Sequence, residues 1–185
     1  MEFFDLRNPD GSITGVIKER SLVHRDGDLH GTVHIFIVRE SKQDKGYEVL
    51  LQMRSIEKDS FPGCYDISSA GHLSAGQTYL QAALRELEEE LGIQADEEDL
   101  HFMGYHEGFC QEEFYGKPFR NHEISAVYVY QKEIDASQLR LQPEEVESVR
   151  WFSFEECLER AQMGDKSYCL FADEMEMLGK YLRSL

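Results

Sequence analysis

The chain has 185 residues, a length that suits one folded domain with a sizeable core. Its net charge of −17 disfavours partners that are nucleic acid polymers or anionic membranes, because like charges repel. No apolar run approaches the ~18 residues of a membrane span, and the N-terminus lacks the pattern of a secretory signal. We therefore expect a cytoplasmic protein.

The strand-like segments come first along the chain. Asp10-Gly11-Ser12 lies between apolar stretches and predicts a hairpin turn. Gly46 predicts the turn between the first two long strands, and Phe61-Pro62-Gly63 interrupts the chain. Short apolar or β-branched runs predict the strands, which are residues 32–38, 47–53, 124–130 and 148–154.

Three segments have the apolar spacing of helices, and they are residues 78–91, 155–163 and 167–185. In the last, an apolar stripe from Leu170 to Leu182 fits either the core of a monomer or a homodimer surface. Strands interspersed with helices predict an α/β layered domain in which a mixed sheet lies between helices.

The helix predicted over residues 78–91 carries an acidic face. Glu86 lies three and four residues before Glu89 and Glu90, so the three carboxylates share one side of the helix and repel each other. A hard divalent cation such as Mg²⁺ or Mn²⁺ would relieve that repulsion. The alternative interpretation is an ordinary solvated acidic face.

The frame around these carboxylates favours the metal site. The segment resembles the Nudix box, a Gly followed at fixed spacing by Arg-Glu, Glu-Glu and a final Gly with an aliphatic residue. The positions that match are Gly71, Arg85, Glu86, Leu87, Glu89, Glu90, Gly92 and Ile93. Gln77 stands where the pattern has its first Glu, and it can form hydrogen bonds but cannot be an anionic ligand or a base.

The resemblance implies a single Nudix domain over residues 1–185, folded as an α/β/α sandwich. It also implies metal-dependent cleavage of a nucleoside diphosphate linked to another group. The implied ligands of Mg²⁺ or Mn²⁺ are Gly71 through its carbonyl, Glu86, Glu89, Glu90 and Glu123, the acidic residue just before the strand at 124–130. Arg85 is expected to orient the carboxylates by a bidentate pairing.

Residues 10–155 also resemble type 1 isopentenyl-diphosphate isomerase, a branch of the same superfamily. That isomerase has a metal site of three His and two Glu. Its histidines match His24, His30 and His72, and its glutamates fall at Asn121 and Glu123, so the resemblance implies a second metal or polar site. The remaining four histidines match nothing in it.

The same resemblance assigns phosphate binding to Arg54 and Lys58, four residues apart. It also speaks against isomerase activity, because Ala70 stands where the isomerase needs a Cys, and alanine has no proton to exchange.

Three functions remain open, with a small phosphorylated molecule as ligand in each. The first is a hydrolase of a nucleoside diphosphate or its derivative, the second an isomerase-like enzyme, and the third a non-catalytic module that senses a nucleotide. Aromatic residues in a presumed loop between Gly104 and Asn121 could stack on a ring, and they are Phe109, Phe114, Tyr115 and Phe119.

Overall fold

A computed structural model describes residues 1–42 and 45–185. Among the described residues it has nine strands and four helices. The strands are β1 Phe3–Arg7, β2 Ile13–Glu19, β3 Leu29–Glu40, β4 Tyr47–Arg54, β5 Tyr65–Asp66, β6 Ser69–His72, β7 Leu100–Phe114, β8 Lys117–Tyr130 and β9 Val146–Ser153. The helices are α1 Arg20–Asp26, α2 Tyr79–Leu91, α3 Phe154–Met163 and α4 Ala172–Leu182.

The strand β3 is the centre of a mixed sheet. One of its edges pairs in parallel with β8, which forms an antiparallel hairpin with β7. Its other edge pairs antiparallel with β1, β6 and β4 in succession, and β4 carries β9 on its far side. Because β6 and β8 pair with opposite edges of β3 at neighbouring residues, Thr32 with His72 and His30 with Glu123, only β3 separates the segment before the acidic helix from the strand of Glu123.

Alternate residues of β3 point to opposite faces of the sheet, as in any strand. Ile35 and Ile37 pack with α2 in one apolar cluster, whereas Phe36 and Val38 pack with α3 and α4 in another. Helices therefore cover both faces, and the predicted α/β/α sandwich with a mixed sheet is confirmed.

The predicted helix over 78–91 is confirmed, with Thr78 as its N-cap. The Thr78 side chain accepts a hydrogen bond from the Gln81 backbone N–H, and the Gln81 side chain accepts one from the Thr78 backbone N–H. Gly92 ends the helix with a φ of 69°, a left-handed conformation that favours glycine. These caps fix where the acidic face begins and ends.

Two predicted elements differ in the structure, namely the loop at residues 104–121 and the start of the last helix, and one helix is additional. Residues 104–121 form a β-hairpin, not a loop, and β8 begins at Lys117, so Glu123 lies within the strand. The last helix begins at Ala172, not at residue 167, because the backbone of Ser167 and Cys169 bonds to Tyr65 instead. The short helix α1 was not expected at all. In the described part of the chain, no helix has the length and apolar character to cross a bilayer.

Candidate active site

A cavity of about 480 Å³ opens between α2, the end of β6, the middle of β8 and the segment that leads into α4. The three box carboxylates, Glu123, Arg54 and Lys58 all line it, together with His24 and His72. The structure thus brings residues from five distant parts of the sequence to one place.

The box carboxylates occupy different environments. Glu90 is buried, and its carboxylate accepts hydrogen bonds from the Ser69 hydroxyl at 2.7 Å and the Ala70 backbone N–H at 3.2 Å. Glu86 is also buried, whereas the side chain of Glu89 is 52% exposed at the rim. An ordinary solvated acidic face would leave all three in water, so that alternative does not describe this helix.

Gly71 is the residue that makes room for Glu86. A Cβ at position 71 would lie 1.8 Å from Glu86 Oε1 and 2.0 Å from its carboxyl carbon, far inside van der Waals contact. The glycine of the box therefore lets the β6 backbone approach the side-chain carboxylate of Glu86 closely.

Burial and mutual repulsion oppose ionisation of this pair. Burial, followed by the charge of Glu90, raises the pKa of Glu86 to about 8. Burial also raises the pKa of Glu90 to about 7, although Ser69 and Lys58 act in the opposite direction. Two adjacent carboxyl groups that resist ionisation near neutral pH fit a site that a cation would complete.

Arg85 joins the acidic helix to the preceding turn. Its Nη1 lies 2.8 Å from both Glu86 and Glu89, and its Nη2 donates to the His72 carbonyl at 2.9 Å. The expected bidentate pairing is therefore wrong, because one nitrogen is shared by two carboxylates and the other is used by the backbone. Arg85 still orients the carboxylates, as a bridge.

Gln77 contacts Arg85 and lies apart from the carboxylates. Its Oε1 accepts from the Ser74 backbone at 3.2 Å and from Arg85 Nη2 at 3.4 Å. We therefore expect Gln77→Glu to change kcat/KM by less than about fivefold, since it adds a half-exposed ion pair worth roughly 0–1 kcal/mol. Steady-state kinetics of the variant test this, and a larger gain would place position 77 among the metal ligands.

Glu123 is held from two sides. Asn121 Nδ2 donates to it at 2.7 Å, and His34 Nε2 lies 3.4 Å away. Burial alone would raise the pKa of Glu123, but the hydrogen bond and charge of His34, together with His30 and Asn121, lower it to about 2. Glu123 is thus an anion when Glu86 and Glu90 are still partly protonated. No sequence motif points to His34, because only the parallel pairing of β3 with β8 brings it to Glu123.

The three matched histidines do come together. His24, His30 and His72 each offer a nitrogen within 4.8 Å of the others. The Nε2 atoms of all three are buried without a hydrogen-bond partner. Burial lowers the pKa of His24 to about 3 and that of His72 well below its usual value, so neutral imidazoles converge here. Neutral imidazole is the form that binds transition metals.

The expected phosphate-binding pair lines the cavity, but each member already has an anionic partner. Arg54 Nη1 bonds Asp66 at 2.8 Å and its Nη2 donates to the Ser60 carbonyl at 2.9 Å. Lys58 pairs with Glu145. Arg20, at the start of α1, is a third cation on the cavity wall, and the sequence does not point to it because no local signal marks α1.

Aromatic rings form one side of the cavity mouth. Phe119 lines the cavity, packs against His24 at 4.9 Å and lies near Phe61, which comes from the Phe61-Pro62-Gly63 turn. Phe109 and Tyr115 lie on the hairpin with their side chains exposed. Of the four aromatic candidates only Phe119 lines the cavity, and Phe61 joins it.

The charges around the cavity do not balance. Among the described residues, nine carboxylate side chains line it against four arginine or lysine side chains. A phosphate ligand would add further negative charge. The donor set of the cavity therefore fits divalent cations that prefer oxygen ligands.

Comparison with known proteins agrees with this geometry. The model of the NUDIX domain family matches residues 28–172. Nudix hydrolase 3 of Arabidopsis thaliana is 42% identical over 171 residues, which is 90% of this chain. The chain spans only 21% of that relative's length.

Two further likenesses cover most of both chains. An isopentenyl-diphosphate Δ-isomerase of Photobacterium profundum is 31% identical over 139 residues, covering 74% of this chain and 72% of the isomerase. The crystal structure of DR0079 from Deinococcus radiodurans superposes with a TM-score of 0.62 at 20% identity, over 88% of this chain and 90% of that protein. The structural likeness supports the fold alone.

Proposed function

This chain belongs to the Nudix domain family, and from that premise we propose that it is a metal-dependent hydrolase of diphosphate linkages, built as a single domain over residues 1–185. The observation that carries the proposal is the buried pair Glu86 and Glu90, packed against Gly71 with their ionisation suppressed. Such a pair is costly unless a cation offsets its charge.

The residues that would hold Mg²⁺ or Mn²⁺ are Glu86, Glu89, Glu90, Glu123 and the carbonyl of Gly71. When bound, the cation would neutralise phosphate oxygens and acidify a water molecule. Arg85 keeps Glu86 and Glu89 turned toward the cavity. Glu123, which is ionised at neutral pH, acts as a further ligand or accepts a proton from the attacking water.

The phosphate groups would lie toward the cationic wall. Lys58 and Arg54 are the residues proposed to bind them, and Arg20 also lines the cavity. Arg54 is fixed by Asp66 and Ser60, so its guanidinium is held in place before the ligand arrives. We propose a nucleoside diphosphate or its derivative as substrate, with Phe61 and Phe119 beside its apolar or ring portion.

Lys58 supplies a test of this orientation. We expect Lys58→Met to raise KM for the diphosphate substrate about tenfold while kcat stays within about twofold, because binding shared by ground and transition states is lost. Lys180→Met, which removes an exposed lysine from α4, is the matched control and should change neither constant. An unchanged KM in Lys58→Met would remove Lys58 from phosphate binding.

A second candidate activity rests on the histidine cluster. The convergence of His24, His30 and His72 on one point supports a second metal site, as in the isomerase-like alternative. Ala70 argues against the isomerase reaction itself, since it lines the cavity and has no acidic proton. We therefore propose these three histidines as an additional metal or polar site of a hydrolase.

Phosphate release tests the proposed function. Purified protein with Mg²⁺ or Mn²⁺ would be tested against nucleoside di- and triphosphates, nucleotide sugars, dinucleoside polyphosphates and prenyl diphosphates. Turnover of one class would support the hydrolase and name its substrate. Tight binding of a nucleotide without turnover would instead favour the non-catalytic module, and interconversion of prenyl diphosphate isomers would favour the isomerase.

A further inference from the structure

A further group of side chains that could hold a metal ion lies under the start of α4, on the opposite face of the sheet from α2. His34 on β3, His106 on β7 and Glu174 on α4 are 7%, 6% and 1% exposed. One ligand atom from each lies within 4.8 Å of the other two. Their positions differ by up to 140 residues in sequence, so only the fold brings them together.

The two ring nitrogens of each histidine have different surroundings. His34 Nδ1 lies 2.7 Å from Glu174 Oε1, while His34 Nε2 faces Glu123 at 3.4 Å. His106 Nε2 lies 3.1 Å from Asp173 Oδ1, and its Nδ1 is buried without a hydrogen-bond partner. A histidine that binds a metal through one nitrogen almost always gives its other N–H to a carboxylate or carbonyl, and both histidines have such a partner.

We propose that His34 Nδ1, His106 Nδ1 and a Glu174 carboxylate oxygen bind a transition metal ion, with Zn²⁺ the best match to two imidazoles and one carboxylate. Three protein ligands leave a fourth position open, as Zn²⁺ sites with bound water or substrate do. His34 and Glu174 line the cavity, which gives the ion a route in and a water or ligand a route to it.

Charge supports the assignment. Two buried carboxylates, Glu174 and Glu123, face the imidazole of His34 from opposite nitrogens, at 2.7 Å and 3.4 Å. A divalent ion bound here would offset the buried negative charge of Glu174. The ion would also link α4 to β3 and β7. It would thereby hold in place the part of the cavity wall that lies at the start of α4.

The direct test is crystallographic. The full chain would be crystallised after equilibration with Zn²⁺. Anomalous difference maps would be calculated from diffraction data collected on either side of the zinc absorption edge. We expect a peak within about 2.3 Å of the two imidazole nitrogens and Glu174. An anomalous peak at His24, His30 and His72 or at the box carboxylates, with none between His34 and His106, would overturn the proposal.

Metal stoichiometry in solution is the second measurement. After dialysis against Zn²⁺, the His106→Ala protein should hold one equivalent less than the wild type, by elemental analysis. His101→Ala removes an exposed histidine from the same strand and is the matched control, which should lose none. If His106→Ala and His101→Ala retain the same number of ions, the site is an ion pair only and the proposal fails.

Discussion

Replacing Glu90 with glutamine is expected to slow diphosphate hydrolysis strongly while making the metal-free protein more stable. Glutamine keeps an oxygen that can accept from Ser69 and Ala70 but carries no charge for a metal. Loss of one anionic ligand should lower kcat/KM by on the order of 10²–10³, since metal stabilisation of the transition state is worth several kcal/mol.

The gain in stability follows from the raised pKa of Glu90. The folded protein holds this proton up to a pKa of about 7, whereas the ordinary value is 4.5, so between these values the unfolded chain binds fewer protons. The free energy of unfolding of the wild type therefore falls as pH rises through that window. Glutamine does not ionise and avoids this loss.

We accordingly expect the metal-free Glu90→Gln protein to match the wild type near pH 4 and to exceed its stability by on the order of 2 kcal/mol at pH 8. Urea denaturation with a chelator present, repeated across this pH range, measures the difference. Glu88→Gln alters the exposed side of the same helix and serves as the control. A stability difference independent of pH would show that Glu90 is ionised in the fold without a metal.

Gly71→Ala is expected to disable the site through a single added methyl group. The strand backbone tolerates alanine, but the new Cβ would lie 1.8 Å from Glu86 Oε1 and 2.6 Å from its Cγ. Glu86 would then have to leave the position proposed for metal binding, because β6 is paired with β3 and α2 is capped at both ends. We expect kcat/KM to fall on the order of 100-fold and the protein to lose about 1–3 kcal/mol of stability from the overpacking.

The variant Gly76→Ala separates the loss of stability from the loss of activity. A Cβ there meets nothing within 4 Å, yet the φ of 81° makes alanine strained, so stability should fall by about 1 kcal/mol with activity retained. Titration of Mn²⁺ into each protein measures the metal affinity directly. If the loss in Gly71→Ala operates through Glu86, the double variant Gly71→Ala with Glu86→Gln should be no worse than either change alone. Additive losses would contradict this.

Much of the fold follows from local patterns in the sequence. The helix α2 could be predicted because its apolar spacing, its Thr78 cap and the terminal Gly92 all act within a few residues of one another. The hairpin of β7 and β8 was misread, because its exposed outer half lacks the apolar alternation of a half-buried strand. The short α1 lacks acidic residues in its first turn and a side-chain cap, so no local signal marks it.

The sequence by itself determined the family, the acidic box and the three histidines, because spacing along one helix and matches to a known motif are properties of the chain alone. Only the tertiary structure decided that Glu86 and Glu90 are buried, that Arg54 and Lys58 already have carboxylate partners, and that His34 faces both Glu123 and Glu174. The physical reason is that burial, pKa and charge balance depend on distances across the sheet. Those distances are set by the parallel pairing of β3 with β8 and by the docking of α4, which bring together residues far apart in the chain.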